Sequence, residues 1–113
     1  MNTAKELDLV FGALGHETRR GILEDLRQGS KTVLELAAPH PMSLNAVSKH
    51  LKRLETAGLV RRTVDGSFHR IEIDPRAMKA ALKWMSFYAP FWTDAPFWTD
   101  NLTSLKTFLE SDT

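Results

Sequence analysis

The 113-residue chain contains no cysteine. Disulfides, thiolate metal sites and thiol redox sensing are therefore excluded together, and a chain of this size must rely on one apolar core, often helped by a second subunit. Long apolar runs are missing too. No stretch approaches the roughly 18 residues that a membrane helix requires, and the opening MNTAKELD lacks the apolar centre of a signal peptide. A cytoplasmic location and no membrane partner are the expectations. Glycine and proline are sparse, at six and five residues, which argues against a disordered or fibrous chain. There is no phosphate-binding glycine loop, nucleophile elbow or spaced acid pair, so neither enzyme activity nor a cofactor is expected. The four histidines, His16, His40, His50 and His69, share no ligand spacing on a helix, so no metal site is expected either.

Net charge is only +1, but it is unevenly divided. Between Ser43 and Arg70 the chain carries Lys49, Lys52, Arg53, Arg61, Arg62 and Arg70 against only Glu55 and Asp65, while the remainder is acidic on balance. A contiguous basic segment is what a phosphate-binding surface needs; a merely solvated face is the competing reading.

Apolar spacing predicts a first helix with Leu7, Val10, Phe11 and Leu14 on one side, and a second with Ile22, Leu23 and Leu26, ending before Gly29. SKTVLELA predicts a short third helix with Val33, Leu34, Leu36 and Ala37 apolar, capped by Ser30 or Thr32 and closed by Pro39 and Pro41. SLNAVSKHLKRLETAG is more legible. Ser43 is a good N-cap, Leu44, Val47, Leu51 and Leu54 form one stripe, and Gly58 supplies the stop. The opposite face carries Asn45, Lys49, Lys52 and Arg53.

The period then changes. LVRRTVDGSFHRIEID alternates about Asp65-Gly66, which predicts a β-hairpin with those two residues as its turn, pairing Val64 with Ser67, Arg62 with His69 and Val60 with Ile71. PRAMKAALKWMSFY predicts a fifth helix with Pro75 in its first turn and Met78, Leu82, Met85 and Trp84 on its apolar side. DNLTSLKTFLESD predicts a further helix capped by Asp100. The expected fold is mainly α with a small β-hairpin: a winged helix-turn-helix of five to six helices. It forms one domain over 1–113, with core and wing in 5–74 and dimerisation helices in 75–113.

In that element order, a polar helix face enters the major groove while a basic hairpin lies on the backbone or minor groove. Asn can pair with adenine, Lys or Arg with guanine, and Ser or a helix N-terminus can hold a phosphate. The segments LGHETRRGIL, LELAAPHPMSLNAVSKHLKRLETAGLV and VDGSFHRIEIDP, within Leu7 to Tyr88, also resemble the ArsR (arsenical-resistance-repressor) family of bacterial winged-helix transcriptional regulators. The resemblance implies a homodimeric regulator, in expectation a repressor, whose first and fifth helices meet the partner subunit and whose Ser43 to Thr56 helix reads a palindromic operator in double-stranded DNA. It puts Ser43, Asn45, Ser48, Lys49 and His50 at groove-facing positions and Arg62, His69 and Arg70 in the wing. The helical wheel favours Asn45, Lys49 and Arg53 and sets Ser48 and His50 on the flanks, where a histidine bonded to a backbone carbonyl is the alternative. The chain departs from the metal sensors of that family. KTVLELA has no cysteine and PRAMKAALKWMSFY no histidine. A winged-helix module that binds proteins or small molecules without a specific operator is the competing function.

APFWTD occurs twice, at 89–94 and 95–100. Six residues turn a helix by about 600°, so the two Phe-Trp pairs cannot share one face of a continuous helix, and Pro90 and Pro96 oppose continuity further. A break is expected near Ala89-Pro90, with a new helix from about Pro96 or from an Asp94 cap. Leu7, Val10, Phe11, Trp84, Phe87, Tyr88, Phe91 and Trp92 are the candidate dimer contacts. The aromatics among them also suit an apolar pocket for an organic effector, and the second copy a duplication tolerated at a helix end.

Overall fold

Side-chain caps decide where the helices begin. The computed structural model describes residues 4–92, arranged as α1 (Ala4–Leu14), α2 (Glu17–Leu26), β1 (Lys31–Thr32), α3 (Val33–Ala37), α4 (Leu44–Thr56), β2 (Val60–Asp65), β3 (Phe68–Ile73), α5 (Pro75–Ser86) and a 3-10 turn at Ala89–Phe91. The His16 Nδ1 accepts from the Thr18 N–H at the start of α2 (3.1 Å), and Ser43 Oγ accepts from the Ala46 N–H at the start of α4 (3.1 Å). For α3 the cap is Thr32, not Ser30. Thr32 Oγ1 accepts from the Glu35 N–H and Glu35 Oε1 accepts from the Thr32 N–H, so two orphan donors are satisfied reciprocally. Asp74 caps α5, with Pro75 in the first turn, where its missing N–H costs nothing.

Gly58 ends α4 by taking up a positive φ of 77°. The Leu59 N–H then reaches the Leu54 carbonyl and the Gly58 N–H the Glu55 carbonyl, both at 3.0 Å. That pair of bonds is the glycine-dependent C-terminal motif, and it turns the chain straight from α4 into β2.

The core joins α1, α2, α3, α4 and the sheet through Val10, Ala13, Ile22, Leu26, Leu36, Val47, Leu51, Leu54, Leu59 and Ile71, each almost wholly buried. Two residues assigned to that core by pattern lie outside it. Leu34 is 66% exposed and Leu44 48%, because α3 is only five residues long and the first turn of α4 projects beyond the layer beneath it. On α5 the buried residue is Ala81, while Met78, Trp84 and Met85 remain about 40% exposed. Small side chains there let α5 approach α1.

The sheet has three antiparallel strands in the order β1-β3-β2, so the wing is tied back to the body by a two-residue strand that hydrophobic alternation does not reveal. Its register corrects the expected one. Asp65 pairs with Phe68, Arg62 with Ile71 and Val60 with Ile73, which makes Gly66-Ser67 the turn. Gly66 has φ 63° and, among the described residues, no non-glycine residue has positive φ, in keeping with a hairpin turn that needs the left-handed region at its first central residue only. Helix α5 ends at Ser86, three residues before the break expected at Ala89-Pro90, and the 3-10 turn at Ala89–Phe91 follows. The helix that sequence places after Pro96, its Asp94 or Asp100 cap and the second APFWTD copy lie outside the described residues.

Candidate nucleic-acid interface

Helix α4 is seated by Val47, Leu51 and Leu54, all at 0% exposure. Its far side carries Asn45, Lys49, Lys52 and Arg53, all exposed. An amphipathic helix seated this way holds an amide and three cations outward at fixed positions without spending its own polar groups on the core. Asn45 and Lys49 stand one turn apart on the middle of that face. Arg53 leans toward α1, its Nη2 3.8 Å from where a side chain on Gly12 would begin. Ser43 is exposed, but its hydroxyl serves as the cap. Ser48 lies on the wing side, half-buried, in a cleft lined also by Leu34, Leu44 and Phe68.

His50 is half-buried, and its Nδ1 is bonded to a side chain, not to a backbone carbonyl. Its Nδ1 accepts from Arg19 Nη1 (3.1 Å), and its ring lies 4.5 Å, centroid to centroid, from that of His16. The reason is Arg19, which is 8% exposed and donates from Nε to the Ala13 carbonyl (2.7 Å) and from Nη2 to the Gly12 carbonyl (3.1 Å). A buried guanidinium at the negative end of the α1 dipole draws the acceptor nitrogen of His50 inward. Burial, then the charges of His16, Arg19, His40 and Arg53, push the His50 pKa below its ordinary value. Arg19 escaped the sequence reading because it is charged. The available signal was its spacing, three, four and seven residues before Ile22, Leu23 and Leu26, on the buried stripe of α2.

In the wing, Arg62 is already engaged. Its Nη2 and Nε donate to the two carboxylate oxygens of Glu55 on α4 (2.8 and 3.2 Å), and Nη1 meets His69 Nδ1 at 3.2 Å. Glu55 thereby raises the Arg62 pKa. Arg62 thus positions the hairpin against α4. Arg61 is paired with Glu72 across the strands (2.9 Å). Arg70 is exposed, within 3.5 Å of Ser30 Oγ. The tip beyond these cations presents Val64 and Phe68, each 60% exposed, beside the exposed Asp65.

A second exposed face joins α1 to α5. The rings of Phe11 and Trp84 meet edge to face at 5.6 Å, Trp84 lies 5.0 Å from Tyr88, and Trp84, Met85, Tyr88 and Trp92 line an open cleft of about 180 Å³. Phe87 and Phe91 are 71% and 85% exposed, and Leu7 is half-buried. Val10 does not belong with them. At 3% exposure it is part of the chain's own core and has almost no surface left for a partner.

Comparison with known proteins agrees with this architecture. A family model described as a helix-turn-helix domain matches residues 14–63. The chain is 41% identical over 95 residues to the HTH-type transcriptional regulator Rv2034 of Mycobacterium tuberculosis, covering 84% of this chain and 86% of that protein. Among solved structures it is similar to an ArsR family transcriptional regulator, with a TM-score of 0.75 and 31% identity over 83% of this chain and 97% of the other. It is also similar to the homodimeric winged helix-turn-helix DNA-binding domain Mb0332 of Mycobacterium bovis, with a TM-score of 0.61 and 26% identity over 80% and 87% of the two chains.

Proposed function

The chain belongs to the ArsR family of winged helix-turn-helix transcriptional regulators, and from that premise we propose that it acts as a homodimer that binds a short palindromic operator and represses from it. One observation carries the reading: α4 is clamped by Val47, Leu51 and Leu54 so that Asn45 and Lys49 stand exposed at the middle of its outer face. Asn45 and Lys49 are assigned to base edges, and Lys52, Arg53 and Arg70 to phosphates. Arg62 and His69 set the wing. Two copies of α4 related by a two-fold axis would meet half-sites one helical turn apart, which is why the operator is proposed to be palindromic. The homodimeric Mb0332 domain and the aromatic face of α1 and α5 support the second subunit. Trp84, Phe87, Tyr88, Phe91 and Trp92 are assigned to that contact, with Leu7 and Phe11. Repression is the proposed outcome because a dimer lying on a promoter needs only to occupy it to exclude polymerase. Such a protein works in the cytoplasm, beside the chromosome.

Selection of bound duplexes from a random pool, followed by anisotropy titration, tests the proposal. A palindromic consensus is expected, with Lys49→Ala binding it at least tenfold more weakly while remaining folded and dimeric. A pool that yields no consensus, or unchanged affinity for Lys49→Ala, would refute it.

A further inference from the structure

Arg19 is buried, yet among the described residues no carboxylate is paired with it. Its charge is met instead by three acceptors: the carbonyls of Gly12 and Ala13 in the last turn of α1, and the Nδ1 lone pair of His50 in α4. A guanidinium only donates, so the nitrogen that faces it must be unprotonated. The bond therefore exists only while His50 is neutral.

The groups around His50 oppose a second charge. His16, the cap of α2, has its ring centroid 4.5 Å away and spends its own Nδ1 on the Thr18 N–H. Arg19 faces His50 from α2, His40 from the loop before α4, and Arg53 from the next turn of α4 itself. All four are basic. An imidazolium here would turn an N–H toward the N–H of a buried cation and leave Arg19 one acceptor short.

Position gives this bond its consequence. His50 directly follows Lys49 and precedes the buried Leu51, so it sits between the outer face of α4 and its seated stripe. Through Arg19 it ties the middle of α4 to the end of α1, a helix assigned above to the partner subunit. That tie sets the outer face of α4 relative to the two-fold axis, and hence to the two half-sites.

We propose that Arg19 and His50 are positioning residues for operator binding and together form a proton-operated latch: neutral His50 holds α4 to the end of α1, protonated His50 lets go, and acidification thereby releases the operator. The proposal rests on the operator-binding reading above. Val47, Leu51 and Leu54 seat α4 in either state, so the latch changes how the helix is set and not whether it folds. A histidine that touched DNA directly would act in the opposite sense, because its added charge would strengthen the hold on phosphate.

The test uses the full-length chain and the duplex selected from the random pool, titrated by anisotropy at about pH 7.5 and about pH 5.8. Wild-type affinity is expected to fall about tenfold toward acid, while circular dichroism shows native helix content at both values. His50→Gln offers Arg19 an amide oxygen that does not titrate, and its affinities at the two values should be nearly equal. His69→Gln, in the wing, should keep the wild-type fall. Calorimetry in buffers of different ionisation heat, at about pH 6.2, counts protons on the wild-type chain without need of any variant; protons should be released as the operator binds. Tighter binding in acid, proton uptake on binding, a fall that persists in His50→Gln or vanishes in His69→Gln, or loss of helix content alongside loss of binding would overturn the latch and leave the operator-binding role intact. Failure to select any consensus would instead sink that role.

Discussion

Arg62 of β2 and Glu55 of α4 are joined at both carboxylate oxygens, at 2.8 and 3.2 Å, with each side chain only a little over a quarter exposed. The wing and the helix proposed to face DNA are thus held at a set angle by a two-point ion pair.

An arginine already neutralised by its own protein displaces no counterion when DNA arrives. Arg62→Ala is therefore expected to weaken operator binding without changing how steeply affinity falls with salt. Lys49→Ala should instead reduce the slope of log affinity against log salt by about 0.9. Titrations at several salt concentrations separate the two, and an equal loss of slope in both variants would mean that Arg62 leaves Glu55 for a phosphate.

Arg19 ties α1, α2 and α4 together through the carbonyls of Ala13 and Gly12 and the ring of His50. Arg19→Ala strands those acceptors and opens a space, and is expected to cost about 2 to 4 kcal/mol. Arg19→Lys should recover only part, since an ammonium cannot reproduce the planar fork. Urea denaturation of the three proteins measures both.

The His50 pKa is lowered in the folded state, chiefly by burial and then by His16, Arg19, His40 and Arg53. A base whose folded pKa lies below its unfolded one binds fewer protons when folded. Its contribution to stability is thus complete above the ordinary value of 6.5 and is lost as pH falls through the lowered folded pKa. Thermal midpoints should decline below about pH 6.5, and a His50→Gln variant should flatten that part of the profile. An identical decline in the variant would assign the effect to other groups.

Asp74 is 5% exposed, accepts from the Arg76 backbone N–H and meets the Arg76 guanidinium at 2.7 and 3.0 Å. The Arg76 hydrogen bonds draw its pKa down from 3.8 to about 2, so its contribution is present above 3.8 and disappears as pH falls toward 2. Asp74→Ala is expected to cost about 1 to 2 kcal/mol at neutral pH through loss of the cap, and Asp74→Asn, which keeps a capping oxygen, distinctly less. Chemical denaturation at pH 7 ranks the three, and equal losses would show that charge, not capping, is what Asp74 supplies.

Much of the candidate interface was legible along the chain because its determinants are local. The Ser43 cap, the Val47, Leu51, Leu54 stripe and the Gly58 stop all lie within one helix and its ends, so spacing alone predicts both the helix and its polar face. The hairpin was legible but its turn was misassigned by one residue. Asp65-Gly66 and Gly66-Ser67 can both turn a chain, and the choice between them came from pairing Val60 with Ile73 and Arg62 with Ile71.

What this sequence determined by itself is the order and type of the helices and hairpin among the described residues, and which face of α4 is polar, since caps, periodicity and glycine positions act over a few residues and need no distant partner. Only the tertiary structure decided that the His50 Nδ1 meets Arg19, that Arg62 is spent on Glu55, that Val10 is sealed within the core, and that Leu34, Leu44 and Phe68 gather in one cleft. Those outcomes depend on distances between residues far apart in the chain, where burial and charge are weighed against all neighbours at once, and no local pattern carries that information.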